Sequence, residues 1–371
     1  MTAETILVVG GSGVVGRAVL EACTRERQAR GWRVVGLSRR DPEIDGAEHV
    51  SLDLLDADAC ARAAERFDGV THVVFAALFE KPGLVAGWLA DDQMATNLAL
   101  LRNLLTPLLA RANSLKHVAL LQGTKAYGAH IAPMSVPGKE RAPRVEHPNF
   151  YWLQEDWLRA RRPGAPWTFT IWRPPLILGH APGAPMNILA AIGAFGTLER
   201  AARGDGAWPG GPVGPIDAVD ADLLAAAIVW GFDADAARDE TFNVTNGDVL
   251  VASSVWPRLM ARFGLPSVAE AHRRSFVALC ERSAEWRAVA EAHRLREPDL
   301  DRFVGDSLIY ADLFFNTGGD VVPPSTLLSS IKLRQAGFHD CRDSEDVMVG
   351  WLARLQEGGW LPGAENLAAV R

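Results

Sequence analysis

The stretch Ile6-Leu7-Val8-Val9-Gly10-Gly11-Ser12-Gly13-Val14-Val15-Gly16 decides the fold. An apolar run enters glycines at positions 10, 13 and 16, and a helical pattern through Ala18, Val19 and Cys23 follows. Gly10 permits a tight turn, Gly13 lets backbone approach a pyrophosphate, and Gly16 lets the new helix sit close to the sheet. The exposed N–H groups of that helix start, around Val14 and Val15, face the phosphate charge. Glycine spacing alone also describes βα turns that bind nothing. The strand before it and the helix after it favour a dinucleotide site.

Outward from this turn, the first strand covers 5–9 and the first helix 14–30, with Gly31 as its C-terminal cap. A second strand, Arg33 to Leu37, runs into Ser38-Arg39-Arg40. An acidic residue there would take the ribose hydroxyls of NAD, whereas a serine and two arginines suit the 2′-phosphate of NADP. Asp53-Leu54 closes a short third strand and is expected near the adenine. The fourth strand, Val70 to Ala77, ends in the small Ala76 and Ala77, past which a dinucleotide can run. A loop then carries Phe79 and Trp88 towards a pocket, and a long helix from Asp91 to Ala112 carries Asn97. The fifth strand, His117 to Leu121, ends in Gln122-Gly123-Thr124-Lys125, and a helix starts near Tyr151 after a Pro-rich loop at 128–148. The sixth strand, Trp167 to Trp172, leads into Arg173-Pro174-Pro175, with Leu176 and Ile177 beyond it.

Six strands separated by helices predict an α/β fold, a Rossmann-type doubly wound parallel sheet with an interleaved, mostly helical substrate-binding lobe. The expected division is an NADP-binding part at 1–180, completed by 213–245, and a helical lobe at 181–212 and 246–371. Within the lobe, helices are expected at 186–203, 251–263, 270–297, 325–336 and 343–357, with an apolar helix or lid at 301–316.

The chain has 371 residues, 48% of them hydrophobic and 22% charged, which suits a globular protein. A formal charge of -7 gives no reason to expect a nucleic acid or an anionic membrane as partner. Without a basic leader or a run of 18 apolar residues, a soluble cytoplasmic protein is expected, with a homodimer as the candidate assembly. The four cysteines form no CxxC and read as reduced, mostly buried thiols. The histidines show no metal-ligand spacing, so no metal is expected. Twelve tryptophans read mainly as packing residues, and with only three tyrosines each tyrosine is a candidate for chemistry.

Lys125 beyond a strand end and Tyr151 at a helix start both belong to the carboxyl edge of the sheet, where α/β folds bind ligands. A nearby ammonium would lower the phenol pKa and make the tyrosine a plausible acid. The ordinary short-chain dehydrogenase pattern is Tyr-x-x-x-Lys, but this chain reads Tyr151-Trp152-Leu153-Gln154-Glu155. Tyr127, Phe150 and Trp152 are candidates to shape the site, as are Met186, Tyr310 and Phe314, although the spacing of the last two equally describes a helix packed on a core.

Three stretches carry a more specific resemblance: Leu120-Leu121-Gln122-Gly123-Thr124-Lys125-Ala126-Tyr127-Gly128, Asn149-Phe150-Tyr151-Trp152-Leu153-Gln154-Glu155-Asp156 and Trp172-Arg173-Pro174-Pro175-Leu176-Ile177-Leu178-Gly179. With Ser38-Arg39-Arg40, Pro185-Met186-Asn187, the run Phe242 to Asp248 and Ala336-Gly337-Phe338, they resemble the progesterone 5β-reductase/iridoid synthase-like family, an atypical branch of the extended short-chain dehydrogenases. The resemblance implies an NADPH-dependent reductase of activated C=C bonds, acting by 1,4-hydride addition on enones or enals. It implies Tyr151 and Lys125 as the catalytic pair, Gly10, Gly13 and Gly16 at the pyrophosphate and Arg39 at the 2′-phosphate. Ala76-Ala77-Leu78-Phe79 departs from the aromatic that plant-like members carry after strand four, so steroid or iridoid specificity does not follow. The expected substrate is a small apolar carbonyl compound. Two alternatives stand beside this reading: a nucleotide-sugar epimerase or dehydratase of the extended type, and a non-catalytic NADP-binding regulatory protein.

Overall fold

A computed structural model of the chain describes residues 4–111, 113–266, 268 and 270–363. β1 (Thr5–Val9) is buried along its whole length, as a strand covered on both faces must be. It feeds α1 (Val14–Arg30), which Gly31 closes in the left-handed conformation at φ 68° with its N–H on the Arg27 carbonyl. β2 (Arg33–Ser38), β3 (Glu48–Ser51), α2 (Ala57–Ala64), β4 (His72–Phe75), α3 (Asp91–Arg111) and β5 (His117–Leu121) follow. α4 (Phe150–Arg159), β6 (Thr168–Arg173) and the later β9 (Glu240–Asn243) complete a seven-stranded parallel sheet in the order β3-β2-β1-β4-β5-β6-β9. The chain winds outward from β1 to β3 and then crosses back to β4. The switch point, where ligands of open α/β sheets bind, therefore lies between the carboxyl ends of β1 and β4.

β7 (Leu176–Leu178) and β8 (Ala218–Asp220) pair with each other in a separate parallel ribbon, so of the expected return to the sheet only β9 joins it. Beyond β6 the helices are α5 (Ile188–Ala201), α6 (Ala221–Asp233), α7 (Ala252–Ala261), α8 (Ser283–His293), α9 (Leu300–Val304), α10 (Ser307–Phe314), α11 (Ile331–Gln335) and α12 (Ser344–Glu357). The helix expected at 301–316 is two helices, broken at Gly305, whose φ is 52°. Of the one expected at 325–336 only the last turn forms, behind Pro323 and Pro324. At 270–297 a 3-10 turn (Val277–Arg282) precedes α8. α3 continues through Pro107 to Arg111, and Ala112 lies outside the described residues.

One face of the sheet is sealed by a core whose side chains all come from residues 7–171, chiefly from the strands, α2 and α3. The other face belongs to a larger core running from Ile6 to Leu361, in which α1 packs on α6, and α5 on α8, α9, α10 and α12. Trp172, Trp256 and Trp286 are fully buried there, in keeping with packing roles. Cys23 and Cys60 are buried but Cys280 and Cys341 are exposed, which corrects the expectation of mostly buried thiols. No helix among the described residues is long and apolar enough to cross a membrane.

Candidate active site

The glycine turn meets the end of β4 at the switch point. Gly10 sits at φ 88°, and a Cβ there would lie 2.7 Å from the Ala77 nitrogen. A Cβ on Gly16 would lie 2.1 Å from the Gly10 carbonyl oxygen, so this glycine lets α1 close on its own turn rather than on the sheet. Gly13 caps α1 with no side chain, and the amides of Ser12, Val14 and Val15 make no hydrogen bond among the described residues. Free amides at a helix start suit an anion of the pyrophosphate kind.

At the end of β2, the Ser38 hydroxyl donates to the Arg40 carbonyl at 2.6 Å. Arg40 reaches Pro182, its Nη2 donating to that carbonyl at 3.3 Å. Arg39 is exposed and its guanidinium has no partner among the described residues, which leaves it available to a phosphate. Asp53 accepts from the Leu55 amide at 3.0 Å in a local turn, and Leu54 is buried. Ala76 and Ala77 are half-buried beside Gly10, while Leu176 and Ile177 lie in β7, Leu176 packed in the core.

Two expected cofactor contacts need correction. Asn97 is wholly buried: its Oδ1 accepts from the Phe79 amide at 2.9 Å, and its Nδ2 donates to the carbonyls of Phe79 (2.8 Å) and Gln93 (3.0 Å). Gln122 is likewise engaged, accepting from Arg173 Nε at 2.8 Å and donating to Glu155 at 2.9 Å. Neither side chain has an N–H left to offer a ligand.

Lys125 lies in a 3-10 turn (Thr124–Tyr127) directly after β5. Its Nζ is 3.0 Å from Oε1 of Glu80, whose side chain is 1% exposed, and 4.3 Å from the centre of the Trp88 ring. Glu80 in turn accepts from Gln93 Nε2 at 2.7 Å, and Gln93 Oε1 accepts from the Lys81 amide at 3.0 Å. Gln93 and Asn97, one turn apart on α3, thus clasp the segment 79–81 and aim Glu80 at Lys125. Burial pushes the Lys125 ammonium below the usual lysine range, and the attraction of Glu80 opposes that shift.

Asn149 joins the two candidate catalytic residues. As the N-cap of α4 its Oδ1 accepts from the Tyr151 amide at 3.0 Å, while its Nδ2 donates to the Lys125 carbonyl at 2.9 Å. The Tyr151 hydroxyl has no hydrogen-bond partner among the described residues and lies over Gly123, where a Cβ would be 3.3 Å from it and 3.5 Å from the Pro174 carbonyl oxygen. The expectation that Lys125 lowers the phenol pKa does not hold in this arrangement. Burial raises it, the Glu80 charge raises it further, and Lys125 is already matched by Glu80.

Glu155 stands where the ordinary pattern has lysine, and it is anchored in place. Its carboxylate meets Arg159 at 2.8 Å, Arg144 at 3.0 Å and Arg173 at 3.4 Å, besides Gln122. Burial alone would raise its pKa, but the Arg159 hydrogen bond and the other partners bring it below the usual carboxylate range.

The expected substrate-side residues divide. Tyr127 is buried and its hydroxyl donates to Asn243 Oδ1 at 2.6 Å, so it packs beneath the site and presents no polar group to a ligand. Phe150 is buried, its ring 4.5 Å from that of Tyr151. Trp152 is held between Arg144 and Arg173, at 4.5 Å and 5.3 Å from its ring centre. Phe79 packs against the first core. Met186 is half-buried just ahead of α5, and Tyr310 and Phe314 share a half-buried face of α10, where burial pushes the Tyr310 phenol up to about 12. Glu80, Gln93 and Asn149 are the residues that sequence reasoning missed. Only Asn149 carried a local signal, as an N-cap residue before a helix.

The chain resembles known proteins along almost its full length. It is 26% identical over 375 residues to the (S)-8-oxocitronellyl enol synthase of Catharanthus roseus, covering 96% of this chain and 92% of that protein. It is also 26% identical over 367 residues to the 3-oxo-Delta(4,5)-steroid 5-beta-reductase of Arabidopsis thaliana, covering 94% and 91%. Among solved structures, the Bordetella bronchiseptica enzyme WbmG in complex with NAD superposes with a TM-score of 0.62 at 17% identity, over 100% of this chain and 98% of that one, a likeness of fold. The sequence profile of the PRISE-like Rossmann-fold domain matches residues 42–299. With the switch-point turn, the Lys125–Tyr151 arrangement and the displaced lysine pattern, that match makes this chain a member of the PRISE-like Rossmann-fold family.

Proposed function

We propose that the chain is an NADPH-dependent reductase of activated C=C bonds in small apolar enones or enals, working by 1,4-addition of hydride. The observation that carries this reading is the free Tyr151 hydroxyl over Gly123, on a residue whose backbone Asn149 ties to that of Lys125, while Glu155 is locked among arginines. Gly10, Gly13 and the free amides of Val14 and Val15 hold the pyrophosphate, and Arg39 holds the 2′-phosphate. The described residues of 1–180 with 213–245 form the cofactor-binding part, and those of 181–212 with 246–371 cover the substrate. The hydride that adds to the β-carbon is supplied by NADPH when bound. Tyr151 donates a hydrogen bond to the substrate carbonyl oxygen, stabilising the enolate charge as it develops, and the Lys125 ammonium balances the buried Glu80 carboxylate, which would otherwise oppose that charge. Solvent supplies the proton to the α-carbon. Tyr151 is half-buried, and Phe150 against its ring restricts where the phenol can swing.

Purified protein is incubated with NADPH and a panel of enones, with loss of nicotinamide absorbance followed and products identified. Reduction at C=C is expected, and Tyr151→Phe is expected to lower kcat on the order of 10²- to 10³-fold with NADPH affinity nearly intact. Unchanged turnover in that variant removes Tyr151 from its role. Turnover of a nucleotide sugar without enone reduction replaces the reading by the epimerase one.

A further inference from the structure

Glu80 has no part in the reaction as derived so far, yet its side chain is almost wholly buried. A carboxylate 1% exposed loses nearly all its hydration and must be compensated by fixed partners. Its partners are the Lys125 ammonium at 3.0 Å on Oε1 and Gln93 Nε2 at 2.7 Å on Oε2. The backbone on both sides is pinned to α3, Phe79 by Asn97 and Lys81 by Gln93, so the carboxylate is held in place.

We propose that Glu80 is a positioning residue that acts through Lys125, fixing the ammonium under the Trp88 ring and keeping both Lys125 and Tyr151 in their proton-bearing forms. The inference rests on the reading of Tyr151 and Lys125 as the catalytic pair. An ammonium with little water around it sheds its proton readily, and a fixed anion in contact opposes that tendency. The same negative charge resists ionisation of the Tyr151 phenol, whose hydroxyl must carry a proton to donate it. The other titratable groups near the pair do not replace Glu80. His130 is pushed down to about 4 by burial, with His147 and Lys125 adding to the shift, and stays neutral at working pH. The His147 ring is 4.9 Å from that of His130, and Asp92 is exposed and engaged with Lys81 at 2.7 Å. Among the described residues Glu80 is the one anion in contact with Lys125.

Two readouts test the inference in Glu80→Gln, which keeps the shape and an oxygen for Gln93 but removes the charge. The first is the pH profile of kcat/KM for enone reduction: its alkaline limb is expected to move down by about one pH unit or more, so the loss is near tenfold on the alkaline side and smaller towards acid. Glu80→Asp is expected to restore part of the shift. The second needs no activity: acetylation of Lys125 by acetic anhydride, followed by peptide mass spectrometry across pH, is expected to begin at lower pH in Glu80→Gln than in the native chain. If no enone is reduced, the proposed reaction fails while the labelling still decides the role of Glu80. Identical labelling profiles in the two proteins, or an equal loss of activity at every pH with the limb unmoved, would reduce Glu80 to a structural brace and overturn the inference.

Discussion

Gly123 sits in extended backbone at φ -179°, so its own dihedral makes no demand for glycine. The demand comes from Tyr151, whose hydroxyl would lie 3.3 Å from a Cβ at that position. Gly123→Ala is therefore expected to displace the phenol by a few tenths of an ångström and to lower kcat by roughly tenfold, since small misplacements at a reacting centre are costly. NADPH affinity should stay within about twofold. Steady-state kinetics with a cofactor titration check this, and an unaltered kcat would mean that the phenol position is not critical. At this scale the sequence was legible where a residue's place is announced by its immediate neighbours: Gly10 and Gly16 in their turn, Lys125 after a strand, Tyr151 at a helix start. It was opaque where the partner is distant. Glu80 meets Lys125 across 45 positions, and nothing local to either one marks the pairing.

At the level of the element, α4 replaces the usual lysine one turn after the tyrosine with a carboxylate that ties three arginines and a glutamine together. Restoring the ordinary pattern by Glu155→Lys would set a fourth cation among Arg144, Arg159 and Arg173. The expected result is a loss of stability on the order of 3–5 kcal/mol, the cost of breaking a buried ion pair from one side, with no gain in activity. Urea denaturation measures it, and a variant as stable as the native chain and more active would show that Glu155 merely fills a vacancy. The element boundaries follow the same lesson. The helices expected at 186–203 and 343–357 form as α5 and α12, the first buried nearly all round and the second turning Met348, Trp351, Leu352 and Leu355 to the core. Apolar periodicity cannot see the break at Gly305, since Phe303, Val304, Leu308 and Ala311 are buried on either side of it and the periodic signal runs straight through.

For the whole molecule, acid is the informative stress. His72 and His117 lie side by side on β4 and β5, both buried, and burial pushes them down to about 4 and about 3 respectively. Their folded pKa values are below those of the unfolded chain, so the unfolded state takes up protons first as pH falls from about 6.5 towards 4. Stability is therefore full at pH 7 and lost on acidification, by about 2 kcal/mol per imidazole at pH 5. Denaturation at pH 7 and pH 5 should show this slope, and His117→Asn should flatten part of it; the same slope in the variant would place the acid sensitivity elsewhere. The strands were legible because parallel strands buried on both faces advertise themselves as short apolar runs. The covering of the sheet was less so, because sequence cannot say which distant helices share a core.

The two faces of that sheet differ in how freely they could be exchanged between relatives. Among the described residues one is sealed by side chains drawn from 7–171 alone, and can be inherited as a single block of sequence. The other mixes side chains from Ile6 to Leu361. A crossover near residue 180 or 246 would cut through interlocked packing, so graftable substrate-side diversity is confined to loops and half-buried positions such as Met186, while a change at Tyr310 or Phe314 also reaches the larger core they pack against.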